Sequence, residues 1–183
     1  MEALDGYNLD MDVRVVPSGQ TVWQGVASWN GQSRPCALGR AGVRREKREG
    51  DGATPIGAFP FRRVLYRADR IAKPVTGLSV DPIGEHDGWC DDPRDQRYNT
   101  QVRLPYPASH ERLWRNDNIY DLIVVLGHND TPPVPYAGSA IFLHIARDDF
   151  SPTEGCVAVR VGDLLRIVAQ IGSGDRIVVE AAL

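Results

Sequence analysis

Two residues of the types that carry out acyl transfer, a histidine and a cysteine, stand close together in the C-terminal part of the chain. His144 lies within an apolar run over residues 140–146, and Cys156 opens a second apolar run over residues 156–159. A thiolate is a nucleophile, but a free thiol with a pKa of about 8.5 is mostly protonated at neutral pH. A neighbouring imidazole can accept the thiol proton and later donate it to a leaving amine. If the two runs are strands of one sheet, the pair predicts a nucleophile, Cys156, and a general base, His144.

The residues just before the cysteine predict a turn that leaves room for a substrate. Gly155 lacks a Cβ, so the chain can bend sharply and a substrate can approach the backbone. The backbone N–H groups of Gly155 and Cys156 are candidate donors to a tetrahedral oxyanion, and Thr153 can add a hydroxyl. Taken singly, Cys156 and His144 would each be interpreted as buried core residues. Their combination with the glycine and a polar loop favours chemistry.

The segments GSAIFLH at 138–144 and PTEGCVAV at 152–159 resemble the signature of the L,D-transpeptidase catalytic domain family, also called YkuD-type. Further similar segments lie upstream in family order: REGDGATPIGAF at 48–59, GWCDDPRDQRYN at 88–99 and YDLIVVLGHN at 120–129. Ala158 stands where many members carry an arginine, and Ile145 follows the histidine where the classical motif has glycine. The resemblance is therefore to a divergent branch.

The resemblance implies a reaction on the stem peptides of peptidoglycan. Cys156 would attack the carbonyl of a stem residue, usually meso-diaminopimelate (mDAP), and the terminal D-alanine would leave with a proton from His144. An amine of a second stem would resolve the thioester, joining mDAP to mDAP (3-3) or L-alanine to mDAP (1-3). The resemblance also implies that carbapenems acylate the cysteine. A cysteine–histidine pair is adequate for this transfer without a metal or a cofactor.

Two other functions remain open from the sequence. Water instead of an amine can resolve the thioester, which would make the protein an L,D-carboxypeptidase or endopeptidase. In a third interpretation the protein is a non-catalytic module that binds the cell envelope, with Cys156 buried and inert. A backbone carbonyl is expected to hold the imidazole of His144, because no aspartate or asparagine is an obvious partner.

Six further residues are candidate substrate contacts. Two of them end a predicted buried strand at a place where the chain changes direction, and three lie in a long region that mixes aromatic residues with acids and amides. The sixth, Arg160, is the candidate replacement for the family arginine that Ala158 replaces in this chain. They are His128, Asn129, Asp92, Tyr98, Asn99 and Arg160. No His/Cys ligand spacing accompanies the acidic residues, so no metal site is predicted.

Composition and charge indicate a globular protein of one domain over residues 1–183. Its 42% hydrophobic residues are ordinary for such a protein, and 18 glycines with 13 prolines favour many turns. A net charge of −3 argues against a nucleic-acid partner. No apolar run approaches the ~20 residues of a membrane span. The resemblance implies a mainly β fold, a sandwich or open barrel with one or a few short helices, and we expect a monomer.

Local patterns predict the individual elements. Asn30-Gly31 is a strong hairpin signal, and residues 163–171 have the period of an amphipathic helix that Gly172 would end in the left-handed conformation. Residues 1–12 are expected to be an arm, and residues 67–118 an irregular flap over a ligand or the cover of a small satellite core. Besides the runs at 140–146 and 156–159, strands are predicted over residues 13–16, 21–29, 32–38, 59–66, 120–126 and 176–180.

The cysteines and the N-terminus bear on the cellular compartment. Cys36 and Cys90 are predicted to be two buried thiols, although a disulfide between them is possible. The first residues are acidic and lack the basic-then-apolar layout of a secretory signal. The chain is therefore expected to be cytoplasmic if Met1 is the native start, and periplasmic or in the cell envelope if it is a mature form.

Overall fold

Strands form most of the regular structure, as the sequence predicts. The structure is a computed structural model and describes residues 11–181. Within these residues the helix is α1, Val161–Val168. No helix in this part of the chain is long and apolar enough to cross a membrane. The strands are β1 Asp12–Pro17, β2 Gln24–Trp29, β3 Gln32–Ala37, β4 Val43–Arg44, β5 Thr54–Pro55, β6 Gly57–Tyr66, β7 Ser79–Pro82, β8 Asp87–Cys90, β9 Gln101–Arg103, β10 His110–Arg112, β11 Leu122–Leu126, β12 Phe142–Ile145, β13 Val157–Val159 and β14 Arg176–Val179.

The large sheet closes on itself. Neighbouring strands follow the order β11-β12-β13-β3-β2-β1-β14-β6, and β6 pairs with β11 as well. The length of β6 makes this possible, because its first half pairs with β14 and its second half pairs with both β7 and β11. The predicted mainly β fold with a short helix is confirmed. The predicted arm at residues 1–12 lies outside the described residues except for its last two positions, and Asp12 already begins β1.

Alternation along β12 directs successive side chains to opposite faces of the sheet. Leu143 and Ile145 join the core inside the barrel, where the apolar face of α1 also packs. Phe142 and His144 therefore occupy the outer face, and Phe142 packs there edge-on against Trp89. The same face of the sheet also carries Cys156, which belongs with Phe142 and Trp89 to a second, smaller core.

The prediction that residues 67–118 are irregular is wrong in part. This region contains β7 and a small antiparallel sheet in the order β10-β8-β9, which we call the small sheet. Trp89 of β8 is buried in the second core, as the satellite-core alternative expected. The strands of the small sheet have only three or four residues each, too few for a period of two to emerge from the sequence.

The predicted hairpin and helix have different outcomes. Asn30 and Gly31 have φ angles of 44° and 73°, the paired positive values of a tight hairpin turn between β2 and β3. The helix begins two residues earlier and ends three residues earlier than predicted, and Gly172 is not in the left-handed region that a C-cap requires. Gly172 instead bridges Gly77, where a Cβ added to Gly77 would lie 2.9 Å from the Cα of Gly172. Close backbone contact therefore explains Gly77. A Cβ added to Gly172 would lie 3.8 Å from the Cα of Gly77, an ordinary contact, so Gly172 is neither a helix cap nor required by this approach.

Candidate active site

The strands on either side of the polar loop at residues 146–156, β12 and β13, are direct neighbours. β12 and β13 pair in parallel, with Leu143 opposite Val157 and His144 opposite Ala158. Cys156 immediately precedes β13 and therefore lies beside the start of β12. Both Cys156 and His144 line one cavity of about 470 Å³. The sheet thus brings together the two residues that the sequence singled out.

The sulfur of Cys156 is held by the backbone at the start of β12. The thiol donates a hydrogen bond to the carbonyl oxygen of Ala140 at 3.2 Å, and the N–H of Phe142 donates to the sulfur at 3.3 Å. Within residues 11–181, no hydrogen bond joins this sulfur to His144. Burial, reinforced by the negative charge of Glu111, raises the pKa of Cys156 to about 12. The side chain of Cys156, the candidate nucleophile, is therefore a neutral thiol at neutral pH.

The imidazole of His144 is buried and fixed in one tautomer. Its Nδ1 lies 2.9 Å from the carbonyl oxygen of Ile145, the expected kind of partner. A carbonyl can only accept, so Nδ1 carries the proton and Nε2 keeps the free lone pair of a base. Burial lowers the pKa of His144 to about 4. A neutral imidazole thus stands ready to accept a proton, and the resting pair is not a thiolate–imidazolium ion pair.

Hydrogen bonds of two threonine side chains stabilise the turn before Cys156. Thr153 Oγ1 accepts the Gly155 N–H at 3.1 Å and donates to the carbonyl oxygen of Cys156 at 2.7 Å. Thr54 donates to the same carbonyl at 3.3 Å. Gly155 has a φ of 140°, and a Cβ there would lie 2.9 Å from the carbonyl oxygen of Ala53. The glycine is required by this turn, and its N–H, a candidate oxyanion donor, is bound to Thr153 in the resting state.

Charged side chains of both signs line the cavity that contains Cys156. They lie in polar segments that resemble solvated loops, so the sequence alone does not single them out. Glu49 is fixed by the hydroxyls of Ser139 at 2.7 Å and Tyr98 at 2.5 Å, and Asp91 has a buried oxygen for which the described residues supply no hydrogen-bond partner. The charged residues that line the cavity are Lys47, Glu49, Asp91, Glu111, Arg115, Arg147 and Glu154.

Of the predicted substrate contacts, Asn99 forms hydrogen bonds to the backbone that contacts Cys156. Its amide oxygen accepts the N–H of Ala140 at 3.0 Å, and its amide nitrogen donates to the carbonyl oxygens of His128 and Asn129. Ala140 is the residue whose carbonyl accepts the thiol hydrogen bond, and it has a positive φ of 52°. Asn99 therefore holds the backbone on which the sulfur of Cys156 rests.

The other predicted contacts also make bonds within the protein. His128 Nε2 lies 3.0 Å from the carbonyl oxygen of Ala137, and burial lowers its pKa. Asn129 donates to the backbone of the same connection, at Val134 and Gly138. Asp92 pairs with Arg94, and the guanidinium of Arg160 lies 4.9 Å from the Phe150 ring. These four, with Tyr98 and Asn99, are absent from the described lining of the cavity, and their contact with substrate stays a prediction.

Comparisons with known proteins bear on this arrangement. Residues 12–179 match the family model described as the YkuD L,D-transpeptidase catalytic domain. Among solved structures, the fold is similar to L,D-transpeptidase 1 of Mycobacterium tuberculosis, with 15% sequence identity and a TM-score of 0.39. That alignment covers 94% of this chain and 62% of the other, so the present chain spans less than two thirds of that protein. No curated protein matches the sequence.

Proposed function

The chain belongs to the L,D-transpeptidase catalytic domain family, and on that premise we propose that it is a peptidoglycan L,D-transpeptidase with Cys156 as its nucleophile. The observation that carries the proposal is the shared cavity. A buried thiol and a neutral imidazole with a free Nε2 line one space of about 470 Å³ on neighbouring strands. A cavity of this size accommodates the end of a peptide.

Attack on the donor stem begins from neutral groups. The sulfur of Cys156 bonds to the carbonyl carbon of the donor residue while its proton passes to Nε2 of His144. The N–H of Phe142 already donates to the sulfur, so it stabilises the negative charge that develops as the proton leaves. Collapse of the tetrahedral intermediate expels the terminal D-alanine, whose amine takes the proton from His144. The product is a thioester on Cys156 and a neutral imidazole.

The acceptor stem completes the reaction. Its amine attacks the thioester carbonyl, the sulfur of Cys156 leaves, and the amine proton returns to the thiol through His144. The acceptor is mDAP in a 3-3 cross-link or L-alanine in a 1-3 cross-link. mDAP ends in both an ammonium and a carboxylate group, and a cavity wall with Lys47 and Arg147 as well as Glu49 and Glu154 can pair with both. The place of action would be the cell envelope.

Purified disaccharide tetrapeptides provide the test. We expect wild-type protein to yield cross-linked dimers, detected by mass, and fragmentation of the dimers to identify the 3-3 or 1-3 bond. Tripeptide without dimers would replace the proposal by hydrolysis. Unchanged substrate with both wild type and Cys156→Ala would leave only a binding module. Cys36→Ala is the matched control, because it removes another buried thiol that lies in the barrel core.

A further inference from the structure

The imidazole of His144 has an aromatic neighbour that no step of the proposed reaction uses. The rings of Tyr120 and His144 meet edge-to-face, with centroids 5.2 Å apart and an interplanar angle of 80°. Both side chains are buried, each with 4% of its surface exposed. The N–H of Ile145 donates to the carbonyl oxygen of Ile119, which ties the segment that carries Tyr120 to the end of β12. Tyr120 therefore packs against the base from a backbone that is bonded to the base's own strand.

Tyr120 is in turn fixed by a carboxyl group of the small sheet. Its hydroxyl donates to Glu111 Oε1 at 2.7 Å. Glu111 lies in β10 opposite Trp89 of β8, and Trp89 packs edge-on against Phe142 of β12. Tyr120 also meets Phe142 edge-on at 6.0 Å. The small sheet thus reaches the strand of the base twice, once through apolar packing and once through the Glu111–Tyr120 hydrogen bond.

The guanidinium of Arg115 covers the remaining side of the tyrosine. It lies 5.3 Å from the centre of the Tyr120 ring, and Asp117 fixes it through two hydrogen bonds of 2.8 Å each. A ring with a fixed hydroxyl, an edge contact and a cation on its face has little freedom to rotate. A misplacement of about 1 Å at a reacting group can cost ~10²-fold in rate, so immobility beside the base has a kinetic value.

From these contacts we infer that Glu111 and Tyr120 are positioning residues for the general base: Glu111 fixes Tyr120, and Tyr120 holds the His144 ring in the orientation that keeps Nδ1 on the Ile145 carbonyl and leaves Nε2 for the thiol proton. The inference rests on the proposed function. In many cysteine–histidine pairs a third side chain bonds the imidazole directly. Here a backbone carbonyl bonds Nδ1, and the aromatic contact restrains the ring. The small sheet, at residues that the sequence marked as irregular, would then complete the catalytic geometry.

Three variants separate the hydrogen bond from the charge and from packing. Tyr120→Phe keeps the ring and removes the donor, Glu111→Leu removes the acceptor, and Glu111→Gln keeps an acceptor oxygen while it removes the charge. Tyr106→Phe is the matched control, because Tyr106 also donates to a carboxylate, Asp95, at 2.8 Å but does not line the cavity. Thermal unfolding of each variant identifies any that fails to fold.

Nitrogen-15 spectra of the imidazoles test the inference without cell-wall substrate. The chain has four histidines, and His144→Gln assigns the signal of the base. We expect wild type, Glu111→Gln and Tyr106→Phe to show one tautomer with the proton on Nδ1. Tyr120→Phe should show a mixture of tautomers or a broadened signal. An unchanged His144 signal in a folded Tyr120→Phe protein would overturn the inference, and this result is independent of whether the protein cross-links peptides.

Steady-state cross-linking gives the second measurement. We expect Tyr120→Phe and folded Glu111→Leu to lower kcat about tenfold with KM changed by less than about twofold, because substrate binding is untouched while the base is less well placed. Glu111→Gln should restore kcat to within about threefold of wild type. A loss in Glu111→Gln as large as in Glu111→Leu would assign the effect to charge and reject positioning. If wild type forms no dimers, the proposed function fails and the spectra alone decide this inference.

Discussion

Cys36 and Cys156 are two buried thiols of one protein with similar acidity and quite different surroundings. Burial raises the pKa of each to about 12. Cys36 lies among apolar side chains inside the barrel, whereas Cys156 lines a cavity that also contains an imidazole. The resting pKa therefore does not distinguish the proposed nucleophile from the other thiol. The cavity and the imidazole on the neighbouring strand distinguish Cys156 from Cys36.

The largest expected effect is loss of the nucleophile itself. Cys156→Ala should lower cross-linking by about 10⁴-fold or more, since no other group in the cavity can form the thioester. Cys36→Ala should keep the activity of wild type once corrected for folded protein. Dimer formation from disaccharide tetrapeptides measures both. A carbapenem adduct on Cys36 or Cys90, located by peptide mass mapping, would show that Cys156 is not the nucleophile.

Removal of the base should have the next largest effect. His144→Gln should slow acylation of Cys156 by about 10²–10⁴-fold, the usual contribution of general acid–base catalysis. The rate at which a carbapenem adds its mass to the protein measures the step directly. His110→Gln is the control, because its imidazole also lies beside a backbone carbonyl, that of Ala108 at 2.8 Å, and does not belong to the described cavity lining. Equal acylation rates in wild type and His144→Gln would remove the imidazole from the mechanism.

The same histidine should make the folded state sensitive to acid. Its pKa is about 4 in the folded protein against about 6.5 when unfolded, so only the unfolded chain binds the proton between these values. The folded state therefore keeps its full stability, as far as His144 is concerned, above pH 6.5, and it loses stability as the pH falls towards 4. The loss amounts to at most about 3 kcal/mol by linkage.

Urea unfolding at several pH values between 7 and 4 measures the effect. The stability of His144→Gln should fall less steeply over this range than that of wild type, because the variant has no imidazole to protonate. Parallel curves for the two proteins would contradict the low pKa.

The smallest expected effect concerns alkaline stability, where the two thiols should behave alike. Each has a folded pKa of about 12 above its ordinary value of 9.0, so its contribution is present below pH 9 and is lost as the pH rises towards 12. Cys36→Ala and Cys156→Ala should each reduce the loss of stability between pH 9 and 10.5. Equilibrium unfolding at these pH values measures the loss of stability in each protein. An effect in only one variant would show that the two thiols differ in acidity.

Much of the large sheet and the two proposed reacting residues can be read from the sequence alone. The hairpin at Asn30-Gly31 depends on local backbone preferences, and the strands depend on alternation over a few residues, so both can be read from neighbouring positions. Cys156 and His144 were found because their types, their apolar flanks and a glycine before the cysteine occur within a short stretch that resembles a family signature. These features are local in the chain.

How distant segments meet is evident only in the folded protein. The parallel pairing of β12 with β13 depends on the order of strands in the closed sheet, which no local pattern encodes. Gly172 looked like a helix cap because its real partner, Gly77, is far away in sequence. Glu111 lies in a strand of three residues, too short to show a period in the sequence. Its hydrogen bond to Tyr120, which packs against His144, is evident only from the tertiary structure. Periodicity specifies an element, but contacts between elements follow from burying their faces together.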